Sequence, residues 1–259
     1  RPGPGWRHLD VPQCGELDEP DVGATGACAA RLGVDAPPRL HPATASSTRD
    51  PRRSRGAGGV QKGGLAAAIA AVRTDHPQAT VTVWAEDEHR LGLLPVVRRV
   101  WAPKGQRPLA PVRRQYVWLY VYGFVRPSTG QSWWCLLPTV TVPARELALA
   151  TFARDEGIDA AHRAVLVVDQ AGWHTSADMV LPEGIDVVLL PSAAPELQPA
   201  ERLWPLIDEP VANRAFADLA ELEAVLVERC RVLAADSARL KAHTHFHWWP
   251  PEPLPGFPS

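Results

Sequence analysis

Three carboxylates in this sequence stand where chemistry could use them. Asp87 lies in the Glu-Asp-Glu cluster at the end of the apolar stretch VTVWAED (81–87), Asp169 closes AVLVVD (164–169), and Glu201 follows Pro199 soon after DVVLLP (186–191). A carboxylate directly after a buried apolar strand sits at the sheet edge, where ligands of open α/β sheets bind. Pro199 suits the first position of a helix, which places Glu201 in the first turn. Taken singly, each acid has an ordinary structural use: Glu201 complements a helix macrodipole by ~0.3–1 kcal/mol, and Asp169 caps the next helix. Gathered together, they repel and raise one another's pKa unless a cation neutralises them. Hard oxygen donors with no His or Cys at metal spacing beside them favour Mg²⁺ or Mn²⁺ over zinc. Two such ions, about 3.5–4 Å apart, activate an attacking oxygen and stabilise a leaving one. The implied chemistry is hydrolysis or transfer at a phosphodiester.

The elements that must position these acids are legible as periodicities. Residues 65–74 (LAAAIAAVRT) carry Leu65, Ile69 and Val72 at helical spacing. Strands are expected at 81–87, 96–101, 115–125 and 132–138, the last two joined as a hairpin by the turn RPSTG. A helix follows over 142–157, with Gly157 as its stop. Next come strand 164–169, a short helix near 174–180, strand 186–191, a helix from Pro199, and an amphipathic helix over 217–233. AVLVVD and DVVLL are continuous apolar runs, the pattern of strands covered on both faces. Antiparallel strands first and βαβ units afterwards imply an α/β fold with a mixed sheet flanked by helices, compatible with an RNase H-like core.

Composition bounds the rest. The chain has 259 residues, 46% hydrophobic and 22% charged, with 27 Lys+Arg against 29 Asp+Glu. Near-balance of charge excludes a nucleic-acid binder that works by bulk charge, so any such site must be a local patch. No apolar run reaches the ~20 residues of a bilayer span, and no signal peptide is evident, so the expectation is a cytoplasmic protein with no membrane partner. The scattered Cys14, Cys28, Cys135 and Cys230 read as free thiols. The one methionine is Met179 and the sequence opens on Arg1, an expectation of something other than an intact translation product. Residues 1–62 are rich in Gly, Pro and Arg and are expected to form a poorly ordered arm, without a helix-turn-helix pattern. Residues 63–235 are expected to form the catalytic domain and 236–259 a His/Trp/Pro-rich tail.

The segments around the three acids resemble the mariner-like transposases of bacterial insertion sequences, in the DDE endonuclease superfamily. The matching stretches are VWAEDEHRLGL (83–93), RRVWAPKGQRP (98–108), VLVVDQAGWHTS (165–176), LLPSAAPELQPAERLW (189–204) and HFHWWP (245–250). The combination is specific where no single motif is, and it spans roughly residues 62–250. Carried over by position, the resemblance makes Asp87, rather than Glu86 or Glu88, the first catalytic acid, Asp169 the second and Glu201 the third. It implies two Mg²⁺ or Mn²⁺ ions on these residues, cutting and joining of double-stranded DNA at element ends and target, and a homodimer on that DNA. The sequence departs from the family at Ala193-Ala194, where Tyr-Ser is usual, and at Gln198-Pro199, where Asn-Pro is usual. An inactive or truncated remnant that only binds DNA, and another RNase H-like nuclease sharing the metal chemistry, are the alternative readings.

Other features bear on DNA. Between His89 and Arg114 stand Arg90, Arg98, Arg99, Lys104, Arg107, Arg113 and Arg114 with no acid, a run directly after Asp87. It is read as a DNA-backbone contact, giving affinity without sequence information. His174 and Gln198 are possible accessory residues near the second and third acids. His243, His245 and His247 would share one face if they lay on a strand, although the adjacent Trp248 and Trp249 suggest a segment packed on the core.

Overall fold

The computed structural model describes residues 64–99, 109, 111, 115–171, 179–191 and 195–250. Twelve elements follow in order. They are α1 (Gly64–Asp75), β1 (Thr80–Gly92), β2 (Trp118–Arg126), β3 (Gln131–Leu137), α2 (Val142–Glu156), β4 (His162–Val168), β5 (Ile185–Leu189), 3₁₀ turns at Pro195–Leu197 and Pro199–Leu203, α3 (Trp204–Asp208), α4 (Leu219–Ala234) and α5 (Ser237–Thr244).

One sheet holds all five strands, in the order β3-β2-β1-β4-β5. The pairs β1/β2 and β2/β3 are antiparallel, whereas β4 lies parallel to both β1 and β5. A mixed sheet of this order with helices on both faces is the RNase H-like fold expected from the sequence.

Strand alternation sorts the core into two layers. Val81, Val83 and Ala85 of β1, with Val121 and Val125 of β2 and Val165 and Val167 of β4, face a cluster completed by α1, α3, α4 and α5. Trp84, Tyr122, Phe124, Leu166 and Val168 face the opposite way, onto Ala148, Leu149 and Phe152 of α2. That second layer is aromatic: Phe152 stacks on Phe124 at 4.4 Å and meets Trp84 edge-on at 5.1 Å. Helix α2 is bounded by Thr141, whose side chain accepts from the Ala144 amide, and by Gly157, which takes the left-handed conformation (φ 65°) that ends a helix.

The strand expected over 96–101 does not form in its described part. Residues 95–99 are irregular, and β1 instead extends to Gly92. The reason is where the backbone bonds of 96–98 go. Val96 carbonyl accepts from the Asn213 amide at 2.8 Å, and the Asn213 side chain pairs with both the N–H and the C=O of Arg98, each at 3.0 Å. A residue in the loop before α4 therefore satisfies the polar groups that a ladder would otherwise need. The short helix expected near 174–180 falls mostly on residues 172–178, outside the described residues, and Met179 and Val180 are not helical. From Pro199 the chain makes a 3₁₀ turn that passes into α3. The three alternating histidines are not on a strand: His243 ends α5 and His247 lies in a turn, while Trp249 is buried in the core. Cys135 and Cys230 are free and buried, as expected; Cys14 and Cys28 lie outside the described residues. Among the described residues no helix is long and apolar enough to cross a membrane.

Candidate active site

Strand parity decides which acid of the Glu-Asp-Glu cluster can serve a site. Glu86 and Glu88 share the face of Trp84, toward α2; Asp87 shares the face of Val83 and Ala85. On the α2 side the guanidinium of Arg145, itself fully buried, pairs with Glu86 at 2.8 Å and lies 3.6 Å from Glu88. One guanidinium thus balances one of these two carboxylate charges and lies close to the other. Asp87 meets no such cation; its Oδ2 accepts a hydrogen bond from the indole N–H of Trp204 at 2.9 Å.

Asp169 comes to the same place by register. The parallel pairing of β1 with β4 runs from Thr80↔His162 to Ala85↔Val167. Continued by two residues, it sets Asp169 beside Asp87 on the same face, where the β1/β4 ladder has ended. The Asp169 carboxylate also accepts from the Ala171 amide at 2.8 Å, which turns the chain out of the sheet.

Glu201 is brought in by the segment after β5. Gln198, 2% exposed, donates its side-chain amide to the carbonyl of Glu86 at 3.0 Å and to that of Val167 at 3.4 Å. One side chain thus bridges β1 and β4 next to both aspartates. Pro199 opens the following 3₁₀ turn, Ala200 and Leu203 bury its inner side, and Glu201 is left on the exposed rim. Gln in place of the family's usual Asn therefore still supplies an amide that reaches main-chain carbonyls.

The electrostatics agree with one acidic locus. Burial pushes the Asp87 carboxyl up to about 8; the Trp204 hydrogen bond opposes this, and the charges of Glu201 and Glu88 add to it. Partial shielding from water raises Glu201 above its usual range, with His89 opposing and Asp169 adding. Each of the three acids therefore lies within the field of another. His89, partly exposed, stacks on the Trp204 ring (5.0 Å, 13°) and bonds through Nε2 to Asp208 Oδ1 at 2.8 Å.

Among the described residues no three His, Cys, Asp or Glu side chains are gathered tightly enough to hold an ion as they stand. The chemistry of the donor set nevertheless fits a hard divalent cation: carboxylate oxygens only, two of them held toward the protonated form chiefly by burial and by the charge of a neighbouring acid.

The remaining expected residues divide. Arg98 pairs with Asp208 at 3.2 Å and donates to the Pro205 carbonyl at 2.9 Å, so its guanidinium fastens the 95–99 segment to α3. Arg90 lies over the Trp118 ring at 4.5 Å and, by parity, on the sheet face opposite Asp87. Arg99 is exposed. Lys104, Arg107, Arg113, Arg114 and His174 lie outside the described residues. Sequence reasoning missed Trp204, His89 and Arg145. Trp204 stood in the quoted LLPSAAPELQPAERLW stretch, one 3₁₀ turn after Glu201, whereas nothing local marks Arg145 as the partner of an acid so distant in the chain.

Comparison with known proteins follows the geometry. An uncharacterized protein, y4pE/y4sA, of Sinorhizobium fredii (strain NBRC 101917 / NGR234) is 36% identical over 103 residues, covering 39% of this chain and 75% of that protein. Similar solved structures include a Mos1 transposase paired-end complex with left transposon end, at 13% identity and TM-score 0.40, covering 81% of this chain and 68% of that one. Another is the mariner Mos1 paired end complex with Mg, at 14% identity and TM-score 0.42, with the same coverage. The model of the DDE superfamily endonuclease family matches residues 82–223, a span that contains all three acids and more than half of the chain. The chain belongs to the DDE superfamily endonucleases.

Proposed function

We propose that this chain is the catalytic domain of a DNA transposase that cuts and joins DNA at the ends of an insertion sequence. The observation that carries the proposal is the asymmetry of β1. Its acids on one face lie against the Arg145 guanidinium, while Asp87 on the other stands in the field of Glu201 and, among the described residues, makes no ion pair.

Asp87, Asp169 and Glu201 are the residues that would hold two Mg²⁺ or Mn²⁺ ions. When bound, such ions activate an attacking oxygen and stabilise a leaving one at a phosphodiester. The chain's own work is positional: the β1/β4 register aligns the two aspartates, and Gln198 fixes the turn that presents Glu201. Burial favours the protonated form of Asp87 near neutral pH, so holding a cation there would require the carboxyl to be ionised. Because the acidic locus repels the substrate as well, affinity for the DNA backbone comes from exposed basic groups such as Arg99, and from the Lys104–Arg114 run. The substrates are double-stranded element ends and target DNA, the working form on DNA is a homodimer, and the site of action is the bacterial cytoplasm.

The test is metal-dependent nicking of a duplex carrying the ends of the element that encodes the chain, wild type against Asp169→Asn. Loss of nicking in the variant supports the reading, and equal activity in both overturns it. Cutting that ignores the element ends would instead favour a general nuclease of the same fold.

A further inference from the structure

The mechanism above leaves one buried aromatic unused. Trp204 is 6% exposed at the start of α3, three residues past Glu201, and its indole N–H is spent on Asp87 Oδ2. Indole nitrogen is a donor only and finds a partner when buried. Here that partner is the first acid of the site, although carbonyls are far more numerous than carboxylates in any core.

The seat of the ring is shaped on purpose by its neighbours. Gly123 of β2 is the register partner of Asp87. A Cβ at Gly123 would come within 2.9 Å of the Trp204 ring and 3.1 Å of the Trp134 ring. The absent side chain is what lets the indole lie against the sheet directly across from Asp87. On its other side the ring is stacked by His89, which Asp208 holds, and Asp208 is held in turn by Arg98. The indole is therefore clamped between β2 and β1, and its one polar atom is aimed at one carboxylate oxygen.

We propose that Trp204, seated on Gly123 and clamped by His89, is a positioning residue that fixes the orientation of the Asp87 carboxylate by holding Oδ2. This deepens the reading of the site as a metal-dependent nuclease and rests on it. Outer hydrogen-bond partners of ligating carboxylates act in this way, setting orientation and metal affinity.

The experiment compares the full chain with Trp204→Phe and Gly123→Ala. Trp204→Phe keeps an aromatic ring and removes the N–H; Gly123→Ala keeps the N–H and displaces the ring. Two readouts are needed. Nitrogen-15 spectra of the indole groups identify the Trp204 signal by its absence in Trp204→Phe. That signal is expected to move in Asp87→Asn and on addition of Mg²⁺ to wild type. The Mg²⁺ concentration giving half-maximal nicking is expected to rise about 10- to 100-fold in Trp204→Phe and Gly123→Ala, with the rate at saturating Mg²⁺ recovered to within about 2-fold. Unchanged Mg²⁺ dependence in Trp204→Phe overturns the proposal, as does an indole signal indifferent to Asp87→Asn. If Trp204→Phe is poorly folded by its melting curve, Gly123→Ala with the indole signal decides instead, an unmoved signal and unmoved Mg²⁺ dependence overturning it. Wild-type chain that neither nicks nor responds to Mg²⁺ would defeat the nuclease reading, and the indole signal would still report whether Trp204 holds Asp87.

Discussion

The two faces of β1 carry acids of identical chemistry to opposite ends. Toward α2, Glu86 is fully buried and the Glu88 side chain is 4% exposed, and the one guanidinium of Arg145 lies 2.8 Å from the first and 3.6 Å from the second. Toward α3, Asp87 is almost as deeply buried and is given two neutral donors, the Trp204 indole and the Glu88 backbone N–H, together with the repulsion of Glu201. A buried charge is tolerated when it is paired, and it shifts its pKa when it is not. The difference teaches that burial and acidity alone do not mark a site. What separates the two faces is an ion pair, present at Glu86 and, among the described residues, absent at Asp87.

That comparison breaks first at the uncompensated face. Asp87→Asn and Asp169→Asn are each expected to lower metal-dependent nicking by roughly 10³-fold, the scale of losing a group that stabilises transition-state charge. Neither should lower the melting temperature. Arg145→Met tests the other face and should do the reverse. Removing one partner of a buried ion pair costs about 3–5 kcal/mol, read by urea denaturation, because two carboxylates are stranded in an aromatic core. If Arg145→Met folded as stably as wild type while Asp87→Asn unfolded, the assignment of structural and functional faces would be inverted.

Acidity sharpens the same contrast. Without metal, the folded state holds the Asp87 proton up to about 8, against 3.8 for the unfolded chain. A group whose folded pKa is raised contributes stability that is complete below the unfolded value and is lost as pH rises toward the folded one. The metal-free chain should therefore lose stability between about pH 4 and pH 8 through this residue. Asp87→Asn, which cannot ionise, should be more stable than wild type by about 5 kcal/mol at pH 8 and by little at pH 4. Excess Mg²⁺ should shrink the gap by favouring the ionised carboxylate in wild type. Denaturant melts at the two pH values, with and without Mg²⁺, check the sign.

Much of this was legible before any coordinates. The apolar runs at 81–87 and 164–169 announced two central strands, which form as β1 and β4. Asp87 was preferred over its neighbours through family resemblance, and strand parity puts it on the sheet face opposite Glu86 and Glu88. Other parts were not legible because they depend on contacts distant in sequence. VVRRVW reads as a strand by composition, but in its described part the backbone groups of Val96 and Arg98 bond to Asn213, more than a hundred residues later. Arg98 sits in a basic run that looks solvated, yet Asp208 neutralises it. Trp204 looked like one more core aromatic of a chain with ten tryptophans, since no local pattern tells which indole meets an acid.

The smallest expected effect belongs to the residue where the sequence departs from its family. Gln198 is almost fully buried and bonds to two carbonyls, one on each strand that carries an aspartate. Gln198→Ala leaves those carbonyls without that donor and should cost about 1–3 kcal/mol in stability. Gln198→Asn keeps the amide on a side chain one methylene shorter, so it can reach both carbonyls only if the turn before Pro199 moves toward the sheet. Glu201 would follow, because the 3₁₀ turn between Gln198 and Glu201 is closed by the Glu201 amide on the Gln198 carbonyl at 3.2 Å. The expected outcome is a stability loss smaller than that of Gln198→Ala, with nicking lowered further than stability accounts for. Equal nicking in wild type and Gln198→Asn would mean that the turn tolerates either amide, and that Glu201 is positioned by the buried Ala200 and Leu203 rather than by the bridge across β1 and β4.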